Sequence, residues 1–325
     1  MTALPPLTLG QFLRTWSFDP WSTGFVVLAA AAYLWGMRAV AKRGRPWPMR
    51  RLAGFVVIGL VPIVLATMSG LAVYDRVLLW PMAVQVMLLL TIAPVGLGLG
   101  DPIALVTAAL PPSAATRWRA AMRNPVARVL TFPVVAPVLA VATQFVVFFT
   151  GYIGSALHHP VVMHLLHLQL LVTGCLFALP ILGVEMLPAW CTQPVRLMVA
   201  AVDGLLDAIP GITVMTSNTL VAAGYYGTIS RGWGPTRRWD QIIAGGLLLT
   251  LAEVVAMPFI AILYGAWVRE DGERARLVDA ALDQQEQRQR AAATESPPDR
   301  PWWEVDPGPL ADRAGRYGWR DDPPG

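Results

Sequence analysis

Charge is what this chain has least of. Only 14% of its 325 residues are Asp, Glu, Lys or Arg, against 55% hydrophobic residues, and its mean hydropathy is +0.51. A soluble chain of this length needs far more charge to cover its surface, so a soluble globular protein is excluded. Cysteine is almost absent. Cys175 and Cys191 form no CxxC pair, which argues against a structural disulfide and against a thiol-based copper shuttle of the CxxC kind. The chain also has no nucleotide-binding loop, no HExxH, no GxSxG and no glycine fingerprint after a strand, so neither a nucleotide partner nor those hydrolytic chemistries is indicated. No basic segment followed by an apolar core opens the chain, since its first charge in that region is Arg14. Residues 1–22 therefore read as an extracytoplasmic arm rather than a signal peptide. The arm is either a short interfacial helix through Leu7, Leu9, Phe12, Leu13 and Trp16 or a disordered segment.

What the chain does have is apolar length. Hydrophobic stretches cover Thr23–Val40, Leu52–Val73, Leu78–Leu99, Val129–Phe149, Val161–Leu182, Leu197–Ala222 and Ile242–Trp267. Each approaches the roughly 20 residues needed to cross a bilayer, and in lipid such runs are helices because helices satisfy their own backbone groups. The expected fold class is all-α: a polytopic membrane protein, a bundle of seven transmembrane helices occupying residues 23–268. Residues 269–290 read as a charged cytoplasmic helix, and the Pro-rich segment 291–325 as a disordered tail that cannot bury a core.

Basic residues orient the bundle. Arg38, Lys42, Arg43, Arg45, Arg50 and Arg51 follow the first span, and Arg117, Arg119, Arg123 and Arg128 follow the third. The opposite loops are poor in them, apart from Arg231, Arg237 and Arg238. This asymmetry predicts an outside amino terminus, a cytoplasmic carboxyl terminus and a multi-pass plasma-membrane location. The net charge of +4 needs no nucleic-acid partner, because basic inner loops facing anionic lipid account for it.

Polar groups inside apolar spans are costly and are the default functional candidates. One set lies toward the outer face. All four histidines, His158, His159, His164 and His167, open the fifth span. His164 and His167 are three apart and Met163 and His167 four apart, so they share a helical face. Met82 and Gln85 enter the same leaflet in span three, Met215 lies late in span six, and Asp240 and Gln241 open span seven. Imidazole and thioether groups make a soft set suited to Cu(I). The bland alternative is that Met fills space and His hydrogen-bonds to a neighbour. A second, deeper set is Asp203 and Asp207 in span six, Glu253 in span seven and Gln144 in span four. These serve either as polar links between helices or as a proton or ion path.

Three segments carry a family resemblance: VQVMLLLTIAPVGLGLGDPIALV, HPVVMHLLHLQLLVTGCLFALPILGVEMLP and DQIIAGGLLLTLAEVV. In this order and spacing they resemble the caa3-type cytochrome c oxidase assembly factors, the CtaG-like family, over roughly residues 20 to 290. The resemblance implies a non-enzymatic membrane protein that supports copper insertion into a haem-copper oxidase, with oxidase subunits and the lipid bilayer as partners. It is the resemblance that makes His164, His167, Met163, Met82 and Met215 candidate Cu(I) ligands, with His158 and His159 as an entry point. The chain departs from the family pattern where Met82 and Val86 stand in place of span-three histidines, and where Asp207 stands in place of a histidine in span six. Two alternatives follow: a metal-free scaffold for respiratory complexes, or a transporter or intramembrane enzyme using Asp203, Asp207 and Glu253. The second lacks support from any inverted repeat.

Overall fold

The computed structural model describes residues 4–122, 124, 132, 135–183 and 192–295. Arg123, Arg128, the start of the fourth expected span at Val129, Cys191 and the tail from 296 lie outside them. Among the described residues all regular structure is helical. Residues Met1–Trp267 form one compact unit and Val268–Gly325 a second.

The helices are α1 (Leu9–Arg14), α2 (Pro20–Ala41), α3 (Met49–Tyr74), α4 (Leu79–Leu99), α5 (Pro102–Ala109), α6 (Pro112–Met122), α7 (Val135–Phe149), α8 (Tyr152–His158), α9 (Pro160–Leu182), α10 (Gln193–Thr216), α11 (Ala223–Tyr226) and α12 (Arg237–Glu295). Six of them are long and apolar enough to cross a membrane. A seventh crossing results if α7 and α8, bent by 66° at their junction, form one broken span. The all-α, multi-pass architecture expected from the sequence is therefore present.

Local chemistry explains the irregularities. Asp19 caps α2 by accepting from the Ser22 amide at 3.0 Å, with Pro20 following it, a start signal in which proline costs no hydrogen bond. α3 and α4 each contain a wide π-helical turn, Gly54–Leu60 and Leu88–Ile92. Each turn runs up to a proline, Pro62 or Pro94, that has no N–H to return to the preceding turn. Glycines let the backbones meet. A Cβ on Gly174 of α9 would lie 1.9 Å from the Leu90 carbonyl oxygen of α4, and one on Gly245 of α12 would lie 2.6 Å from the Gly211 carbonyl oxygen of α10. Small residues at crossings are how membrane helices gain packing without a hydrophobic driving force. The main core gathers Met82, Val86, Met87, Leu89, Phe148, Leu166, Leu170 and Leu248, and α4 lies deepest in it.

One detail differs from the sequence expectation. The sixth span stops at Thr216 instead of Ala222, because Ser217 turns into extended backbone and Gln241 binds the segment beyond. The described part of the arm is held to the bundle: Tyr74 donates to the Pro5 carbonyl, Trp233 to the Leu4 carbonyl, and the Ser17 amide to the Met68 carbonyl.

Candidate functional site

The histidine-bearing start of α9 meets the first turn of α2, the end of α3 and the start of α4. His164 Nε2 lies 3.0 Å from Asp19 Oδ1, so one carboxylate both caps α2 and holds α9. Burial pushes the Asp19 carboxyl up, but the bonds from Ser22 and from His164 outweigh it and hold the group below its ordinary value. Its ionised form accepts, so His164 Nε2 carries the proton, and in the neutral ring the lone pair lies on Nδ1.

His167 is held by a longer relay. Asp75, 3% exposed just past α3, accepts from Gln85 Nε2 at 2.9 Å. That bond fixes the amide so that Gln85 Oε1 faces His167 Nε2 at 3.4 Å. An amide oxygen only accepts, so Nε2 bears hydrogen and Nδ1 the lone pair. His167 Nδ1 is sealed from solvent and has no hydrogen-bond partner among the described residues. Asp75 is fixed through its backbone as well, its carbonyl accepting from Tyr226 Oη at 2.7 Å. Burial raises the Asp75 carboxyl to about 7, against the opposing effects of Gln85 and Arg76. The two rings, one turn apart, thus offer the same nitrogen, and each is positioned from behind by a carboxylate or a carboxylate–amide pair.

The remaining candidates disperse. Met82 is 1% exposed in the core, and Met163, partly buried, packs against that core. His158 belongs to α8, bonds to the Gly154 carbonyl at 2.7 Å and stacks edge-on against Tyr225. His159 serves as the residue preceding α9. Met215 lies at the crossing of α10 and α12, its backbone against Gly245. Asp240 accepts from the amides of Leu79 and Trp80 at 2.9 and 3.1 Å and from Arg231 at 3.4 Å. It therefore caps α4 from another helix. Gln241 donates to the carbonyls of Val214, Ser217 and Thr219 and accepts from the Val221 amide. Asp203 and Asp207 are buried, whereas Glu253 is exposed on the side of α12.

Among the described residues no three His, Cys, Asp or Glu side chains come together as a metal-holding group. The imidazole pair is the site's available nitrogen donor set. Asp19, Asp75 and Tyr226 were missed by sequence reasoning. Asp19 had a signal, an acidic residue directly before a proline at a helix start, while Asp75 and Tyr226 meet the site only through tertiary contacts.

Fold and site together define a multi-pass all-α membrane protein with a partly buried, carboxylate-backed histidine pair at one end of its bundle. Residues 31–270 match the cytochrome c oxidase caa3 assembly factor family, and the chain belongs to that family. It is similar to the uncharacterized proteins Mb0105 of Mycobacterium bovis and MT0111 of Mycobacterium tuberculosis, each 28% identical over 285 residues covering 86% of this chain and 43% of the relative. The uncharacterized protein ML1998 of Mycobacterium leprae is 26% identical over 293 residues, with the same shares. The chain thus spans less than half the length of these relatives. No solved structure matches it.

Proposed function

We propose that this chain supports assembly of a haem-copper cytochrome c oxidase by binding Cu(I) at His164 and His167 and releasing it to an oxidase subunit. The family membership supports the oxidase-assembly part. The copper part rests on one observation: His167 Nδ1 is a buried lone-pair nitrogen without a donor, oriented by Gln85 and Asp75. A buried acceptor left unmatched is costly, and a soft cation satisfies it. Cu(I) tolerates few ligands, so two imidazoles suffice where a third His or Cys is lacking, and thioether sulfur from Met163 or Met82 is chemically suited to assist. A low ligand count also favours release by ligand exchange. The charge asymmetry of the loops supports an outward-facing position for this end in the plasma membrane. The role is transfer, not turnover.

The test has two arms. Copper stoichiometry of the purified full chain under reducing conditions should approach one Cu(I), and His167→Ala should abolish it. A strain lacking the gene should lose cytochrome oxidase activity and recover it with added copper. A second reading, a metal-free scaffold, is favoured by the absence of a third ligand among the described residues and by the structural use of His164 to pin α2. Loss of oxidase activity without copper rescue, together with no bound copper, would establish that reading instead.

A further inference from the structure

The deeper polar cluster stands apart from the histidine site, at the contact of α7 with α10. Asp203 and Asp207 are one turn apart on α10, 9% and 6% exposed, and Gln144 of α7 is fully buried. Gln144 Nε2 donates to Asp207 Oδ1 at 3.0 Å. Among the described residues, two oxygens of the cluster are left without a hydrogen-bond partner, Asp203 Oδ1 and Gln144 Oε1. No basic side chain pairs with either aspartate among the described residues. Pro210 has no N–H for the carbonyl of Leu206, which lies between the two acids, so a backbone oxygen is freed nearby.

Two buried carboxyl groups one turn apart cannot both stay ionised without a counter-charge. Every unsatisfied atom of the cluster is an oxygen acceptor, and Gln144 cannot rotate to offer its amide without losing Asp207. The geometry points to an oxygen-only site for a small hard monovalent cation, bound by Asp203, Asp207 and Gln144 in competition with protons. One such cation and one retained proton neutralise the pair. Divalent ions fit poorly, because Ca²⁺ takes 6–8 oxygens and Mg²⁺ keeps an octahedral shell of water.

The charged groups around the cluster are few. Within α7, Gln144 and Thr143 are the buried polar residues and none is ionisable. On α10, Arg196 lies two turns from Asp203 and donates to the Gly183 carbonyl. Where α10 meets α12, Gly211 faces Leu249 and Gly204 faces Ala256. That antiparallel pairing puts Glu253 at the depth of Asp207, its side chain on the exposed face. The site is chemically opposite to the histidine pair, hard oxygen against soft nitrogen, and does not depend on copper binding.

Na⁺ is the probe. Thermal unfolding of the purified full chain is compared in sodium and choline chloride of equal ionic strength. At alkaline pH, Na⁺ should raise the midpoint by a few degrees for each tenfold increase once binding saturates. The gain should vanish in acid as protons displace the ion. Asp203→Asn should remove the Na⁺ response, and Gln144→Met, which deletes the amide oxygen but keeps the chain length, should shift it at least tenfold to higher Na⁺. Equal midpoints in sodium and choline for the unaltered protein would overturn the inference, whatever the variants do. So would a sodium response that survives Asp203→Asn.

Discussion

His164 and His167 occupy one face of α9, yet their neighbours decide what each ring can do. Asp19 accepts a hydrogen bond from Nε2 of one, and Gln85, locked by Asp75, accepts one from Nε2 of the other. Residues behind a ligand typically change metal affinity by about 10–100-fold when removed. On the proposed copper role, Gln85→Leu should weaken Cu(I) binding by about that factor with the fold intact by circular dichroism, and an unchanged affinity would dismiss the relay. Asp75 gives a pH signature. Its folded value of about 7 lies above the ordinary 3.8, so the folded state resists ionising it. Its contribution is most favourable below about pH 4 and declines as pH rises toward 7, levelling beyond. Asp75→Asn should flatten that decline, seen as thermal midpoints across the interval. An unaltered slope would assign the pH response to another group.

At the scale of the element, helix ends are stabilised from a distance. α4 starts at Leu79 without a cap of its own, and Asp240 supplies one from α12. Asp240→Ala should cost about 2 kcal/mol, the upper range for a lost cap, measured by unfolding in detergent, and a cost near zero would mean water replaces it. The crossing of α9 on α4 depends on Gly174, where a Cβ would meet the Leu90 carbonyl oxygen. Gly174→Val should force the helices apart and destabilise by about 1–3 kcal/mol, whereas the same change at Gly246, which faces open space, should be nearly neutral. The acid–amide cluster shows the same logic with the opposite outcome: α7 and α10 meet through Gln144 and Asp207, but the contact leaves acceptors over.

The whole molecule separates its charges. Arg43 donates to the carbonyls of Ala108 and Leu110, and Arg51 pairs with Asp101 at 3.3 Å. The basic loop after α2 is thus folded onto the loop elements after α4. The histidine pair lies at the opposite ends of α2, α4 and α9. With the native cysteines replaced, Ser230→Cys should react with an impermeant maleimide in intact cells, and Thr116→Cys only after permeabilisation. The reverse pattern would invert the topology and put the histidine site in the cytoplasm.

Composition and apolar run length alone determined that this protein is a bundle of membrane helices, because lipid leaves a long uncharged segment no other way to satisfy its backbone. Spacing on one helix likewise made the shared face of His164 and His167 legible, as it did the pairing of Asp203 with Asp207. Only the tertiary structure decided what those residues meet. Asp240 and Gln241 look like site residues in sequence and turn out to bind backbone groups of other helices, ending α10 early and starting α4. Asp75 looks like a loop residue and turns out to orient His167 through Gln85. The period of a helix fixes which side chains share a face, but not its rotation against its neighbours. That rotation depends on which glycines allow contact, and it determines which buried polar atoms find partners and which are left for a ligand.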